Sequence, residues 1–263
     1  MKTISFESGQ LAVLDQGAGP PLLFVHGFPL DHTMWRNQFE PFAADHRVIA
    51  PDLRGFGSSP AVPGTVTMAE HADDLLALLD ALAVREPVHL CAMSMGGYVA
   101  FEFWRRHPER IRSLILCDTR AAADTPEAAA NREQMAVEVL RDGAAVAEKA
   151  MLPKLLAADA PQRQPEVVEH VRRMILGTRP ETIASAQRGM AARADMRSHL
   201  PQIRAATLLI VGELDVISTP QEMRGIADGI PGSRLVTIPG SGHLTPLEAP
   251  VEFNAALREF LAL

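Results

Sequence analysis

A serine, an aspartate and a histidine in this sequence each come after an apolar run typical of a buried strand. Ser94 follows "VHLCAM", Asp215 comes after "TLLIVGE" and His243 comes after "LVTIPGSG". A serine hydroxyl attacks a carbonyl only when a base takes its proton, and an imidazole whose tautomer is fixed by a carboxylate can be that base. The three residue types would therefore catalyse acyl transfer if the fold brings them together.

Small residues stand two positions before and two positions after Ser94 in "CAMSMGGYVA". A nucleophile on a sharp strand-to-helix turn needs small residues two positions before and after it, because the backbone crowds there. Ala92 and Gly96 hold these positions, with Gly97 beside them, so the pattern is a variant of G-x-S-x-G in which alanine replaces the first glycine. The alternative is that Ser94 only caps the following helix. The chain order of Ser94, Asp215 and His243 favours the catalytic interpretation.

A second motif, "LLFVHGFPLDHTMW", predicts the groups that would stabilise the transition state. An oxyanion hole needs two backbone amides aimed at the developing negative charge. One amide should come from the residue after the nucleophile, Met95, and the other from the loop after the third strand, where we select Phe28. His26 precedes a glycine at a strand end, and we expect it to hydrogen-bond the loop backbone rather than act as a base.

The elements that must position these residues alternate between apolar strands and amphipathic helices. The segment "ISFESGQLAVLDQG" predicts a hairpin, and six further runs predict buried strands: "PLLFVHG", "RVIAPDL", "PVHLCAM", "IRSLILCDT", "ATLLIVGELD" and "RLVTIPG". A capping box of Thr67 and Glu70 predicts the start of one intervening helix. This alternation predicts an α/β fold with an eight-stranded, mostly parallel sheet flanked by helices. Functional sites of such sheets lie at the carboxyl ends of the strands.

Residues 120–206 interrupt this pattern, after the sixth strand. The segment contains no convincing strand and predicts short helices broken by prolines at 126, 153, 161, 165 and 180. We therefore predict a core of residues 1–119 and 207–263 with a helical insertion between them. The insertion also carries methionines 135, 151, 174, 190 and 196, which would pack helices against the core or line an adaptable acyl pocket.

Composition excludes several other functions. The net charge is −7 and there is no long basic run, which argues against nucleic acid as a partner. No apolar run is long enough to span a membrane and the N-terminus has no signal-peptide pattern, so we expect a cytoplasmic protein. Cys91 and Cys117 lie in apolar runs and read as buried thiols. No metal-ligand spacing or complete dinucleotide fingerprint occurs, so we expect neither a metal nor a cofactor.

Five motifs occur in the order seen in the α/β-hydrolase family: "HGFPLDHTMW", "PDLRGFGSS", "AMSMGGYVA", "VGELD" and "GSGHLTPLEAP". The chain resembles this family over nearly its whole length. The resemblance implies a helical cap formed by residues 120–206 and a set of site residues: Ser94 as nucleophile, His243 as base, Asp215 as its carboxylate partner, and Phe28 and Met95 as oxyanion amides. Within the family the sequence resembles small carboxylesterases and 3-oxoadipate enol-lactonases, the latter partly through "LCDTRAAADTPEAAANR".

These observations predict a serine hydrolase that cleaves small carboxylic esters through an acyl-enzyme. One alternative is a lactonase of the 3-oxoadipate enol-lactonase type, in which Arg120 or Arg132 would bind a substrate carboxylate. Another is cofactor-free perhydrolysis, in which peroxide replaces water. Related dehalogenases and epoxide hydrolases use an aspartate nucleophile, whereas this chain has Ser94. A ligand-binding protein without catalysis is disfavoured because all three triad residues are present.

Two questions stay open in the sequence. Asp118 also ends a strand and is the alternative carboxylate for the triad, although we expect it instead to shape the opening of the cap. We expect the partner to be a small-molecule substrate, either an ester or a lactone. The sequence fits a monomer or a homodimer equally well.

Overall fold

The computed structural model describes residues 1–262, whose eight strands form one sheet. The strands are β1 (Lys2–Phe6), β2 (Gly9–Gln16), β3 (Pro21–Val25), β4 (Arg47–Pro51), β5 (Val88–Met93), β6 (Ile111–Cys117), β7 (Ala206–Gly212) and β8 (Arg234–Ile238). Their order across the sheet is β1-β2-β4-β3-β5-β6-β7-β8. β2 runs antiparallel to both its neighbours, and all other neighbouring strands are parallel. The predicted eight-stranded, mostly parallel sheet is confirmed.

Helices cover both faces of this sheet and fill the segment between β6 and β7. They are α1 (Arg36–Ala43), α2 (Met68–Ala81), α3 (Met95–Arg106), α4 (Pro126–Asp142), α5 (Ala145–Leu155), α6 (Ala160–Arg163), α7 (Pro165–Gly177), α8 (Pro180–Ala191), α9 (Pro220–Gly229), α10 (Thr245–Glu248) and α11 (Pro250–Leu261). Within residues 1–262, none of them is both long and apolar enough to cross a lipid bilayer.

Local sequence signals account for the elements next to the site. α2 begins with the predicted capping box: Glu70 N donates to the Thr67 hydroxyl at 3.2 Å, and Thr67 N donates to the Glu70 carboxylate at 2.7 Å. Every residue of β3 and β5 is buried, as expected for central strands covered on both faces. Cys91 and Cys117 lie on adjacent strands as buried free thiols, with their sulfurs 4.0 Å apart.

Five α-helices, α4 to α8, and one 3-10 helix, Arg197–Gln202, occupy the predicted insertion, and residues 120–205 contain no strand. Pro126, Pro165 and Pro180 stand at the first helical position, where their missing N–H is harmless. The predicted helix break at Pro153 is wrong, because Pro153 lies inside the last turn of α5, which continues to Leu155. The division into a core (1–119 and 207–263) and a cap (120–206) stays a prediction, and we call residues 120–206 the helical insertion.

Candidate active site

Ser94 lies on a strained turn between β5 and α3. Its backbone angles are φ 53° and ψ −113°, a region that costs a non-glycine residue free energy. Neighbours hold it there: Ser94 N donates to Cys117 O at 2.9 Å, and Ser94 O accepts hydrogen bonds from Gly97 N at 2.9 Å and the Thr119 hydroxyl at 2.7 Å. The Ser94 side chain makes no capping hydrogen bond with α3, which rules against the helix-cap interpretation.

The small residues beside Ser94 are required by close backbone contacts. A Cβ on Gly96 would lie 2.5 Å from Val25 O and 2.8 Å from His26 O, both at the end of β3. A Cβ on Gly97 would collide with the Thr119 side chain. These distances are shorter than van der Waals contact, so glycine at both positions lets α3 begin directly against the sheet.

Ser94, His243 and Asp215 are brought together by the carboxyl ends of three strands. His243 Nε2 lies 2.9 Å from Ser94 Oγ, and His243 Nδ1 lies 2.8 Å from Asp215 Oδ2. Since the carboxylate accepts the Nδ1 proton, Nε2 carries the lone pair that can accept the serine proton. His243 and Asp215 are buried, while Ser94 is partly exposed. The arrangement can therefore perform nucleophilic acyl transfer with the hydroxyl open to a substrate.

The Asp215 carboxylate is held by its own loop. Its Oδ1 accepts hydrogen bonds from Ile217 N at 2.7 Å and Ser218 N at 3.0 Å, which leaves Oδ2 for His243. Two backbone donors on one oxygen fix the orientation of the carboxylate, because rotation would leave buried N–H groups without a partner.

Asp118 is fully buried beside this group but does not bond to His243. Its Oδ1 accepts from Gly212 N at 2.8 Å, and its Oδ2 accepts from the Thr245 hydroxyl at 2.7 Å. Burial, aided by the negative charge of Asp215, raises the pKa of Asp118 well above its usual range. Asp118 thus braces the segments that carry Asp215 and His243. Its contacts are not those of the cap opening that the sequence led us to expect.

Phe28 and Met95 provide two buried backbone amides near Ser94. A Cβ on Gly27 would lie 3.2 Å from Ser94 Cβ, which places the loop of Phe28 against the serine. Met95 is the first residue of α3. Across residues 1–262, neither Phe28 N nor Met95 N is a donor in a hydrogen bond within the protein. Buried N–H groups normally have a hydrogen-bond partner, so these two amides are free to donate to an oxyanion. Their role in an oxyanion hole stays a prediction.

His26 serves the loop backbone, as expected. Its Nδ1–H donates to Gly27 O at 2.9 Å, and its Nε2 accepts from Leu53 N at 2.9 Å. Burial lowers the pKa of His26, which keeps the imidazole neutral. Both ring nitrogens are occupied, so His26 is not a second base.

The two arginines considered for a substrate carboxylate already have acidic partners. Arg132 is ion-paired with Asp124 and donates to Gln187 Oε1 at 3.0 Å. Arg120 Nε lies 3.0 Å from the Glu222 carboxylate. The sequence pattern gave no sign of Asp124, because the pair forms only when α4 packs against the segment that precedes it.

Two groups of carboxylate and imidazole atoms lie close enough to suggest a metal site: Asp118, Asp215 and His243, and Asp31, His32 and Asp52, each within 4.8 Å. In both groups hydrogen bonds already occupy the ligand atoms. Asp215 bonds to His243, and Asp52 accepts from His32 Nδ1 at 2.7 Å and from Ser58 N at 2.8 Å. These hydrogen bonds agree with the expectation that the protein binds no metal, which stays a prediction.

Comparison with known proteins agrees with the fold described above. Residues 20–250 match the family model for the alpha/beta hydrolase fold. The protein belongs to the α/β-hydrolase family. This α/β hydrolase resembles a thermophilic esterase from Thermogutta terrifontis, with 45% identity, a TM-score of 0.96, and 99% of this chain and 97% of that chain covered.

Two other similar proteins carry different names. The enol-lactonase from Burkholderia xenovorans LB400 is 28% identical with a TM-score of 0.93, and both chains are covered completely. A haloalkane dehalogenase of Sphingobium indicum is 31% identical over 99% of this chain and 94% of that protein. The predicted resemblance to esterases and enol-lactonases is confirmed, and the range of names leaves the substrate to be argued from the site.

Proposed function

We propose that this α/β hydrolase is a carboxylic ester hydrolase that acts through an acyl-enzyme on Ser94. The observation that carries the proposal is the continuous hydrogen-bonded chain from Ser94 Oγ through His243 to Asp215, at 2.9 and 2.8 Å. Ser94 is a hydroxyl nucleophile, which argues against the dehalogenase and epoxide-hydrolase reactions considered above.

In this reaction His243 Nε2 takes the proton of Ser94 Oγ as that oxygen attacks the ester carbonyl. Asp215 stabilises the imidazolium, and the amides of Phe28 and Met95 donate to the oxyanion. The C–O bond to the alcohol then breaks, and His243 returns the proton to the leaving oxygen. Water, activated by the same imidazole, next attacks the acyl-enzyme and releases the acid. In the perhydrolase alternative, hydrogen peroxide takes the place of this water.

The helical insertion would form one wall of the substrate pocket. Its helices attach to loops at the carboxyl edge of the sheet: the Thr178 hydroxyl donates to Pro29 O, and the Thr182 hydroxyl donates to Gly55 O, both at 3.1 Å. Pro29 directly follows Phe28, so this attachment lies next to a proposed oxyanion amide. A cap in this place would exclude water around the acyl group.

A neutral ester is favoured over a charged lactone because Arg120 is ion-paired with Glu222 and Arg132 already donates to Asp124 and Gln187. Asp124 is shared with Arg193, so this second cluster keeps one net positive charge. The second candidate, an enol-lactonase, is supported by the complete mutual coverage with the Burkholderia protein. Arg120→Ala separates the two: a lactonase would lose affinity for a charged lactone, whereas an esterase would keep its KM for neutral esters.

The test is a panel of p-nitrophenyl esters of different chain length, together with charged and neutral lactones. Wild-type protein should release a burst of p-nitrophenol and should be labelled once, at Ser94, by a fluorophosphonate. Ser94→Ala should abolish both signals. If Ser94→Ala kept most of the turnover, the proposed function would be wrong. Absence of labelling in the wild type would favour a binding protein instead.

A further inference from the structure

One buried carboxylate joins the helical insertion to the segment that carries His243. Glu248 ends α10 and is 5% exposed. Its Oε2 accepts a hydrogen bond from Ala157 N at 2.8 Å, and its Oε1 accepts one from Leu244 N at 3.1 Å. Leu244 directly follows His243, so a single side chain connects the insertion backbone with the neighbour of the proposed base.

Gly242, on the other side of His243, lets the insertion approach this segment. A Cβ at Gly242 would lie 2.6 Å from the carbonyl carbon of Leu156 and 3.0 Å from Glu248 Oε1. Insertion backbone and Glu248 carboxylate thus occupy the space that any side chain at this position would need. The residues before and after His243 are therefore both held by the same contact.

The same stretch of the insertion makes two more hydrogen bonds here. Gln164 Nε2 donates to Glu248 O at 2.8 Å, and the Arg163 guanidinium donates to Gly240 O at 3.0 Å. A different attachment, from Val66 N to the Ser185 hydroxyl at 2.9 Å, does not include the His243 segment. The insertion can therefore be loosened at one place without touching the other.

We infer that Glu248 is a positioning residue that holds His243 Nε2 against Ser94 Oγ. The inference rests on the proposed function. Glu248 bonds to backbone amides and acts through His243. Without its carboxylate, two buried N–H groups would lack a partner, and the segment around His243 would shift to satisfy them.

Glu248→Gln tests this inference with almost no change in volume. The amide NH2 would face one of the two N–H donors, so one hydrogen bond is lost and two donors oppose each other. We expect kcat for a p-nitrophenyl ester to fall about tenfold or more, with KM within about twofold of the wild-type value. Fluorophosphonate labelling of Ser94 should slow by a similar factor, because it needs the same base.

Ser185→Ala is the matched control, since it removes an insertion-to-core hydrogen bond, from Val66 N to the Ser185 hydroxyl, that does not involve the His243 segment. It should keep the wild-type kcat. Wild-type kcat in Glu248→Gln, with Ser94→Ala inactive, would overturn the inference and leave the proposed function intact. Turnover in Ser94→Ala would overturn the proposed function and the inference with it.

A rise in KM at unchanged kcat in Glu248→Gln would also overturn the inference, because it would mean that Glu248 only fastens the insertion. If urea unfolding shows that Glu248→Gln does not fold, Gly242→Ala perturbs the same contact from the opposite side. Its Cβ would displace Leu156, and kcat should fall in the same way. An unchanged kcat in folded Gly242→Ala would contradict the positioning role.

Discussion

Replacing Ser94 with glycine should abolish activity and give a protein more stable than the Ser94→Ala variant. At φ 53° and ψ −113° a residue with a Cβ is strained by about 1–3 kcal/mol, and glycine removes that cost. Glycine also gives the unfolded chain more freedom, which lowers stability by about 0.4–1 kcal/mol. Ser94→Ala loses the same hydroxyl contact with His243 but keeps the Cβ. Ser94→Gly should therefore be about 1 kcal/mol more stable than Ser94→Ala.

The assay is urea unfolding followed by tryptophan fluorescence, with thermal unfolding as a second measurement. For a chain of this size the expected difference in Tm is about 2–4 °C. Ala92→Gly is the control: Ala92 is buried in β5 without a positive φ, so glycine there should destabilise. If Ser94→Gly were no more stable than Ser94→Ala, the turn would not be strained and the reasoning would be refuted.

Three further predictions concern buried ionisable groups. Asp215→Asn should lower kcat about 10⁴-fold at similar KM, because an amide cannot hold the imidazole in the required tautomer; a loss of less than tenfold on a p-nitrophenyl ester would contradict this. Burial lowers the pKa of the His71 imidazole to about 3 in the folded protein. As the pH falls below about 6.5, this imidazole is therefore protonated in the unfolded chain only, and the free energy of unfolding falls by about 1.4 kcal/mol per pH unit. His26, His89 and His170 also have lowered pKa values and contribute in the same direction. His71→Met should therefore reduce the slope in urea unfolding between pH 7 and 5 by about 1.4 kcal/mol per pH unit, and an unchanged slope would count against it. Because the pKa of Asp118 is raised in the folded protein, its protonated carboxyl group contributes to the free energy of unfolding. This contribution is complete below the unfolded pKa and is lost as the pH rises through the folded pKa. Asp118→Asn should therefore gain stability relative to wild type between pH 4 and 7, and a difference independent of pH would contradict the assignment.

The sequence predicted the sheet and the meeting of Ser94, Asp215 and His243 at one edge because both depend on local patterns. Apolar runs identify strands, and the residues that end parallel strands must share one edge. The spacing around Ser94 likewise predicted the crowded turn, even with Ala92 in place of the usual glycine.

Two of the contacts that sequence reasoning missed join residues far apart in the chain, and the third depends on how the insertion packs. Asp118 bonds to Thr245, Glu248 bonds to Ala157, and Asp124 pairs with Arg132 only in the packed insertion. Each pair depends on how two segments pack, and a carboxylate looks the same in sequence whether it is buried or exposed. Burial decides its role, and burial is a property of the folded chain.

The backbone hydrogen bonds of Ser94 bear on whether its strained turn forms before or after the serine becomes reactive during folding. The turn needs β6, since Cys117 and Thr119 hold Ser94 in place, and these residues lie nearby in the chain. His243 lies 149 residues after Ser94. It is the last of Ser94, Asp215 and His243 to be synthesised. A nascent chain can thus build the strained turn while its serine is still an ordinary alcohol. Hydrolytic activity should begin only when the segment of His243 docks, so fluorophosphonate labelling of stalled chains would report the completion of folding.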